Sequence, residues 1–139
     1  MTNESKIRQE RIVPVRSDLD IVTARVEGRE LAKEIGFGVI DQARIATAIS
    51  ELTRNIVQYA DHGQAAIRPV ESAGRAGIEV VCEDQGPGIP DIELALRDGY
   101  STSKSLGMGM SGAKRLMDEF EIQSEIGVGT TVTVRKWLR

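Results

Sequence analysis

The strand-like segments of this chain come in pairs around glycine-containing turns, and this pairing limits the fold more than any other feature. Residues 64–70 and 77–83 flank the turn Ser-Ala-Gly-Arg-Ala-Gly, and residues 119–126 and 130–137 flank Gly-Val-Gly. Strands joined by short turns pair antiparallel, whereas parallel strands need long crossover connections. The sequence therefore predicts an α/β (α+β) fold with a mixed, mostly antiparallel sheet and helices on one face.

Helices are predicted before and between these hairpins, in the overall order β-α-α-β-β-α-α-β-β. A first strand at 11–15 contains Pro14, which lacks a backbone donor and favours a sheet edge. Apolar positions spaced three and four residues apart predict helices at 18–35 and 39–60, and a third helix is expected at 108–117. The helix at 39–60 carries a polar row beside its apolar stripe: Arg44, Thr47, Glu51, Asn55 and Gln58.

Length and composition exclude several classes of protein. The 139 residues, 40% of them apolar, predict a single domain over residues 1–139. A net charge of −3 argues against nucleic acid as a partner, because no basic excess is present to neutralise phosphates. No apolar run approaches the roughly 20 residues that span a bilayer, so no membrane association is expected. The single cysteine, Cys82, is predicted to be buried in a strand, and the chain is expected to be cytoplasmic.

Glu51 and Asn55 lie one helical turn apart, so their side chains point the same way. A carboxylate in a partly dry cleft can accept a proton from an attacking hydroxyl, and a carboxamide oxygen is a suitable ligand for Mg²⁺. Taken alone, the pair is more typical of a solvated helix face than of a site.

Asp84 ends an apolar strand and leads into Gln-Gly86-Pro-Gly88. A carboxylate in this position can accept a hydrogen bond from an exocyclic amine such as that of adenine, and the glycines allow the backbone to approach a flat base. In isolation the segment is also typical of an ordinary turn between a strand and a loop.

Two further glycine segments complete the pattern. Gly107-Met108-Gly109 opens the third helix, where free backbone N–H groups and the helix dipole favour phosphate, and Lys104 just before it is a candidate phosphate contact. The spacing also matches a dinucleotide fingerprint, which we reject because the segment does not follow a strand. Gly129-Thr130 is a hairpin turn whose threonine is a candidate for the floor of a nucleotide site.

In this order, the four segments resemble the N, G1, G2 and G3 boxes of the GHKL superfamily, which includes DNA gyrase and the histidine kinases. Glu51 and Asn55 match the N box, and Asp84, Gly86 and Gly88 match G1. Gly107 and Gly109 match G2, and Gly129-Thr130 matches G3. The resemblance implies a Bergerat-type two-layer sandwich that binds ATP beneath a lid of roughly residues 92–107. It also implies Mg²⁺ bound by Asn55, catalysis through Glu51, and phosphates held by backbone amides around Gly107, Met108 and Gly109.

Over residues 16–137 the chain is most similar to the small serine kinases that regulate bacterial sigma factors, in particular the switch kinases of the stressosome. Segments 46–57, 84–91, 98–103 and 115–120 carry this closer resemblance. It implies an ATP-dependent serine/threonine protein kinase that phosphorylates STAS-domain proteins and activates a PP2C-type phosphatase. Two alternatives remain open at this point: an anti-sigma factor module that sequesters a sigma subunit, and an ATPase without a protein acceptor.

Overall fold

The computed structural model describes residues 10–60, 62–88 and 110–139. The described elements, in chain order, are β1 (Arg11–Val15), α1 (Asp18–Ile35), α2 (Val39–Tyr59), β2 (Gly63–Ser72), β3 (Arg75–Asp84), α3 (Met110–Leu116), β4 (Glu119–Glu125) and β5 (Gly129–Trp137). The predicted bounds of β1, of the first two helices and of the second hairpin are confirmed to within one residue.

The five strands form one sheet in the order β1-β2-β3-β5-β4. Every pairing between described strands is antiparallel, so the predicted antiparallel character is confirmed and these strands contain no parallel pair. Strand β1 lies at one edge, as Pro14 predicts, because a residue without an N–H donor is tolerated where only one neighbour needs pairing.

The turn of the first hairpin is shorter than predicted. Strands β2 and β3 pair as far as Ser72 and Arg75, which leaves only Ala73 and Gly74 in the turn. Both residues have positive φ, 53° and 78°, and this conformation suits the right-handed twist of the flanking strands. The expectation of a six-residue turn at 72–77 is therefore wrong, because a two-residue turn lets the flanking residues stay in the ladder.

Helices α1 and α2 cover one face of the sheet and bury an aliphatic core. Helix α1 begins where the Asp20 carboxylate accepts hydrogen bonds from the N–H groups of Arg16 (2.8 Å) and Ser17 (3.2 Å). Helices α1 and α2 lie close together where Gly28 contacts Ile49. The largest fully buried aliphatic side chains come from both layers: Leu31, Ile45, Ile49, Leu52, Ile67, Ile78, Val15, Val80 and Val134. The result is the predicted two-layer sandwich.

The other face of the sheet carries charged residues paired across neighbouring strands. The Arg135 guanidinium donates to Glu79 on β3 (2.7 Å), and to Glu119 (3.0 Å) and Glu121 (2.9 Å) on β4. Chiefly through the hydrogen bond to Glu79, these carboxylates raise the pKa of Arg135. Such cross-strand pairs stabilise a sheet face that none of the described helices covers.

Helix α3 packs against α2 and connects the two hairpins. Of the two helices expected there, the structure describes the one from Met110 to Leu116. Residues 89–109 lie outside the described residues, and they include the predicted lid, Lys104 and the glycine segment 107–109. None of the described helices is long and apolar enough to cross a membrane.

Candidate functional site

A cavity lies where the end of α2 meets the end of β3 and the start of β5. The cavity is lined by four of the residues that the sequence predicts for binding: Asn55, Asp84, Gly88 and Thr130. They come from three separate parts of the chain, and the remaining lining residues are Tyr59, Ala60, Pro87 and Met110. The fold therefore brings the N-box, G1 and G3 segments to one site.

Asn55 presents an unpaired amide to this cavity. Its side chain is buried, with 7% exposure, and neither its oxygen nor its nitrogen has a hydrogen-bond partner among the described residues. A buried polar group without a partner costs about 1–3 kcal/mol, so its retention points to a role outside the protein's own packing. A carboxamide oxygen is a hard ligand of the kind that Mg²⁺ accepts, so Asn55 fits the metal that the resemblance implies.

Glu51 lies one turn before Asn55 on α2 and is half-buried. It forms no hydrogen bond or ion pair with another described residue, and it does not line the cavity itself. The polar row of this helix thus passes from exposed Arg44 and Thr47, through Glu51, to buried Asn55. Of the five residues of this row, Asn55 lines the cavity and has the chemistry of a metal ligand, and Glu51, one turn away, has the chemistry of a base.

The Asp84 carboxylate is held by two backbone N–H groups. Its Oδ1 accepts hydrogen bonds from Gly86 (2.8 Å) and from Thr130 (3.3 Å). An ionised carboxylate only accepts hydrogen bonds, and its second oxygen, Oδ2, has no partner among the described residues. This arrangement can bind a donor such as an exocyclic amine and rejects a carbonyl in the same place.

Close backbone approach explains two of the glycines at the site. A side chain at Gly88 would lie 2.7 Å from the carbonyl oxygen of Glu125, and the residue has a φ of +82°. A Cβ at Gly86 would lie 2.6 Å from that of Ala60, at the end of α2. The G1 loop therefore packs directly on α2 and on the second hairpin, which keeps the Asp84 carboxylate beside Asn55.

The hydroxyl of Thr130 is paired with that of Ser124. The two oxygens lie 2.9 Å apart, and the residues face each other across β4 and β5. Thr130 is buried, with 6% exposure, and its backbone N–H is the one that holds Asp84. Its side chain and main chain thus take part in the same polar cluster.

Cys82 is buried in β3, as predicted, two residues before Asp84. Burial, and secondarily the negative charge of Asp84, raises the pKa of its thiol to about 12. The thiol therefore stays protonated at neutral pH and is not a nucleophile.

No cluster of three or more histidine, cysteine or acidic side chains suitable for a metal occurs among residues 10–60, 62–88 and 110–139. A metal at this site would rely on Asn55 and on oxygens supplied by its substrate and by water, which is the usual manner in which Mg²⁺ is held beside phosphates.

Two residues at this site, Ser124 and Tyr59, were not predicted from the sequence. Ser124 was assigned only to a hairpin strand, and Tyr59 only to the apolar stripe of α2. The contribution of Ser124 depends on strand register, and that of Tyr59 on how α2 meets the other elements that line the cavity, and a local pattern reveals neither. Lys104, Gly107, Met108 and Gly109 remain predictions, because they lie outside the described residues.

Comparisons with known proteins agree with this geometry. Residues 40–139 match the family described as histidine kinase-, DNA gyrase B-, and HSP90-like ATPase. The chain belongs to this family, and a domain of this kind uses ATP.

Among curated relatives, the serine/threonine-protein kinase RsbT of Bacillus subtilis (strain 168) is 55% identical over 127 residues, which cover 91% of this chain and 96% of the relative. The anti-sigma F factor of Thermoanaerobacter sp. (strain X514) is 31% identical and covers 83% of each chain. Together with the family match, the similarity to the kinase over nearly the whole length identifies this chain as a protein serine/threonine kinase.

A solved structure shows the same fold. The mycobacterial sensor histidine kinase MprB superposes with a TM-score of 0.54 over 94% of this chain and 97% of its own, at 14% identity. At this identity the likeness concerns the architecture alone.

Proposed function

We propose that this protein is an ATP-dependent serine/threonine kinase of a sigma-factor regulatory cascade, which phosphorylates STAS-domain proteins and acts as a switch on a PP2C-type phosphatase. The observation that carries the proposal is the buried, unpaired amide of Asn55, facing the cavity that Asp84 and Thr130 also line. The similarity to a serine/threonine-protein kinase and to anti-sigma F factors supports the regulatory setting.

Asp84 binds the adenine of ATP in this proposal. Its Oδ1 is occupied by two backbone N–H groups, so Oδ2 is the oxygen that accepts the exocyclic amine. Guanine has a carbonyl oxygen at that position, and two acceptors facing each other repel. The geometry therefore supports selection of adenine over guanine.

Asn55 holds the metal end of the nucleotide through its amide oxygen. Mg²⁺, when bound, neutralises negative charge on the phosphates during transfer. Backbone amides of Gly107, Met108 and Gly109, with Lys104, hold the terminal phosphates, as the resemblance implies. The residues of this chain then contribute to catalysis mainly by positioning the reactants and stabilising charge, and little by covalent chemistry.

Glu51 acts on the acceptor protein's hydroxyl. Its half-buried carboxylate on the same side of α2 as Asn55 suits a base that orients or deprotonates an incoming serine or threonine. Since no other described residue forms a hydrogen bond or ion pair with this carboxylate, the group is available to a substrate that docks from solvent.

The cellular location and the kinds of partner are proposed from the similarity to the serine/threonine-protein kinase and to the anti-sigma F factors. We propose that residues 1–139 act as one kinase domain in the cytoplasm, with protein partners rather than nucleic acid or membranes. The formal charge of −3 is consistent with the absence of a nucleic-acid partner.

The test is phosphotransfer to a STAS-domain protein encoded beside this chain, followed as a phosphate mass shift with Mg-ATP present. Glu51→Gln should bind ADP normally and lower transfer by orders of magnitude. Thr47→Ala, exposed one turn earlier on the same row, is the matched control and should transfer normally. Undiminished transfer by Glu51→Gln would remove Glu51 from the mechanism.

The similarity to anti-sigma F factors favours one second candidate, a module that sequesters a sigma subunit. Capture of a purified sigma factor by this chain, released by a STAS-domain antagonist, would support it. If a STAS protein is phosphorylated and no sigma factor is retained, the switch-kinase proposal stands.

A further inference from the structure

We infer that Arg54 binds a carboxylate of the protein acceptor and thereby helps to select which proteins this kinase phosphorylates. Arg54 lies on α2, three residues after Glu51 and directly before Asn55, and it does not line the nucleotide cavity. The inference rests on the proposed function, in which Glu51 acts on the acceptor's hydroxyl and Asn55 holds the metal. It assigns to the same helix a residue that recognises the acceptor and not the nucleotide.

The first observation is that Arg54 has no anion within the described part of the chain. Four of the described arginines are half-buried. Three of them pair with carboxylates: Arg11 with Glu34 (2.8 Å), Arg68 with Glu79 (3.2 Å) and Arg135 with Glu79 (2.7 Å). Arg54 is the fourth, and it forms no hydrogen bond or ion pair with any described residue. A partly desolvated cation without a partner costs free energy, so this guanidinium is suited to an anion from a binding partner.

The second observation is the position of Arg54 relative to the base and the metal ligand. With 3.6 residues per turn, Asn55 lies about 40° to one side of Glu51 around α2, and Arg54 lies about 60° to the other side. Asn55 is buried and lines the cavity, so Arg54 is on the flank of Glu51 that faces away from the nucleotide. Thr47, one turn before Glu51 on the same flank, is exposed, which leaves this flank open to an approaching protein.

The charges around Glu51 explain why the group bound by Arg54 is a carboxylate. Glu51 and the phosphates of ATP are negative, and they repel an acidic segment of an acceptor. Arg54 offsets this repulsion, and a guanidinium can bind a carboxylate through two parallel N–H···O bonds that also fix its orientation. An acceptor whose hydroxyl reaches Glu51 then has the metal end of the nucleotide on one side and Arg54 on the other.

The test is steady-state phosphotransfer by the full chain from Mg-ATP to the STAS-domain protein encoded beside it. Arg54→Gln removes the charge and keeps a long polar side chain that suits a helix. We expect the KM for the acceptor to rise roughly ten- to hundredfold, the range for loss of a hydrogen bond to a charged group. The kcat and the dissociation constant for ADP should be unchanged, because the contact is equal in ground and transition states. Arg54→Lys, which keeps the charge, should have an intermediate KM.

Arg75→Gln is the matched control. Arg75 is exposed at the start of β3 and also has no partner among the described residues, so the variant makes the same change in net charge at a distant place. It should leave the KM for the acceptor unchanged. An unchanged KM in Arg54→Gln would overturn the inference. Weaker ADP binding or a lower kcat in Arg54→Gln would also overturn it, because Arg54 would then act on the nucleotide or on the chemical step.

Variants of the acceptor identify the anion. Each aspartate and glutamate near the phosphorylated residue is changed in turn to asparagine or glutamine. One of these changes should raise the KM with the wild-type kinase about as much as Arg54→Gln does. The same change should raise it no further with Arg54→Gln, because the two groups act as a pair. If no acceptor carboxylate behaves in this way, the assignment of Arg54 to a carboxylate is wrong.

The same assay separates failure of the inference from failure of the proposed function. If the wild type transfers no phosphate to the STAS-domain protein, the proposed function fails and the inference fails with it. If the wild type transfers phosphate and Arg54→Gln has the same KM for the acceptor, the assignment of Arg54 alone is wrong.

Discussion

The backbone N–H of Thr130 donates to Oδ1 of Asp84 over 3.3 Å, although the residues are 46 positions apart in the chain. This hydrogen bond joins the end of β3 to the start of β5, where the two strands pair. It fixes one carboxylate oxygen and leaves the other without a hydrogen-bond partner among the described residues. The adenine end of the site therefore depends on the register of the sheet as much as on the residues themselves.

Asp84→Asn tests this end of the site. The amide oxygen of asparagine can accept the N–H groups of Gly86 and Thr130, so its NH₂ group would take the place of Oδ2. Two donors then face each other when adenine binds. We expect affinity for ADP to fall roughly 100-fold, the loss of a charge-assisted hydrogen bond, with the fold intact.

Calorimetry with ADP and inosine diphosphate checks this prediction, because inosine carries a carbonyl where adenine has an amine. The preference should shift toward inosine diphosphate in Asp84→Asn. Glu83→Gln, one residue earlier on the opposite face of β3, is the control and should leave both affinities unchanged. Unaltered ADP binding by Asp84→Asn would exclude the carboxylate as the adenine ligand.

Asn55→Leu should raise stability and abolish nucleotide binding. The wild-type amide is buried without a partner among the described residues, and leucine has similar volume without polar atoms. We expect the free energy of unfolding to increase by about 1 kcal/mol, because the desolvation penalty of the amide is removed. Binding of Mg-ATP should be lost with the metal ligand.

Urea denaturation and Mg-ATP titration measure the two effects. Gln58→Leu, exposed on the same helix, serves as control and should change stability by less than about 0.5 kcal/mol. A destabilised Asn55→Leu would show that the amide is satisfied within the protein and is not reserved for a ligand.

Local sequence patterns predicted the helices and strands because the spacing of apolar residues reflects which side chains are buried. The apolar spacing of α1 and α2 and the edge position of Pro14 follow from single segments of sequence. The tight turn at Ala73 and Gly74 was missed, because positive φ at a non-glycine residue leaves no clear signal in sequence. The pairing of Ser124 with Thr130 was missed because it depends on strand register, which is a property of two segments together.

The residues of the candidate site could be predicted where the type of side chain alone indicates what it can bind. A carboxylate, a carboxamide and a threonine hydroxyl suit a magnesium nucleotide wherever they meet, and the glycines mark close approaches of backbone. That Asn55, Asp84 and Thr130 meet in one cavity is a consequence of packing α2 on the sheet, which no single motif contains.

Gly129→Ala should destabilise the protein strongly. Gly129 has a φ of +148°, and a Cβ there would collide with the carbonyl oxygen of Asp84. Backbone strain and steric overlap together should lower the free energy of unfolding by about 3 kcal/mol. Gly127→Ala is a matched control in the same hairpin, with a φ of +82° and nothing within 4 Å of the added Cβ, and it should lower this free energy by about 1 kcal/mol. Urea denaturation of both variants checks the difference, and equal losses would contradict it.

Glu119 should add stability that disappears in acid. Hydrogen bonds from the Trp137 indole, and then from Arg135, lower the pKa of its carboxyl below the ordinary 4.5. Because the folded-state pKa is the lower one, its stabilisation is fully present above pH 4.5 and is lost as the pH falls through the folded-state value. The carboxylate is exposed, so the effect is small and weakens with salt. Urea denaturation of wild type and Glu119→Gln should show a difference at pH 7 that closes below pH 4.5. Glu71→Gln, which is exposed at the end of β2, is the control. If the difference between wild type and Glu119→Gln persists unchanged in acid, the effect comes from lost packing against Trp137 and not from charge.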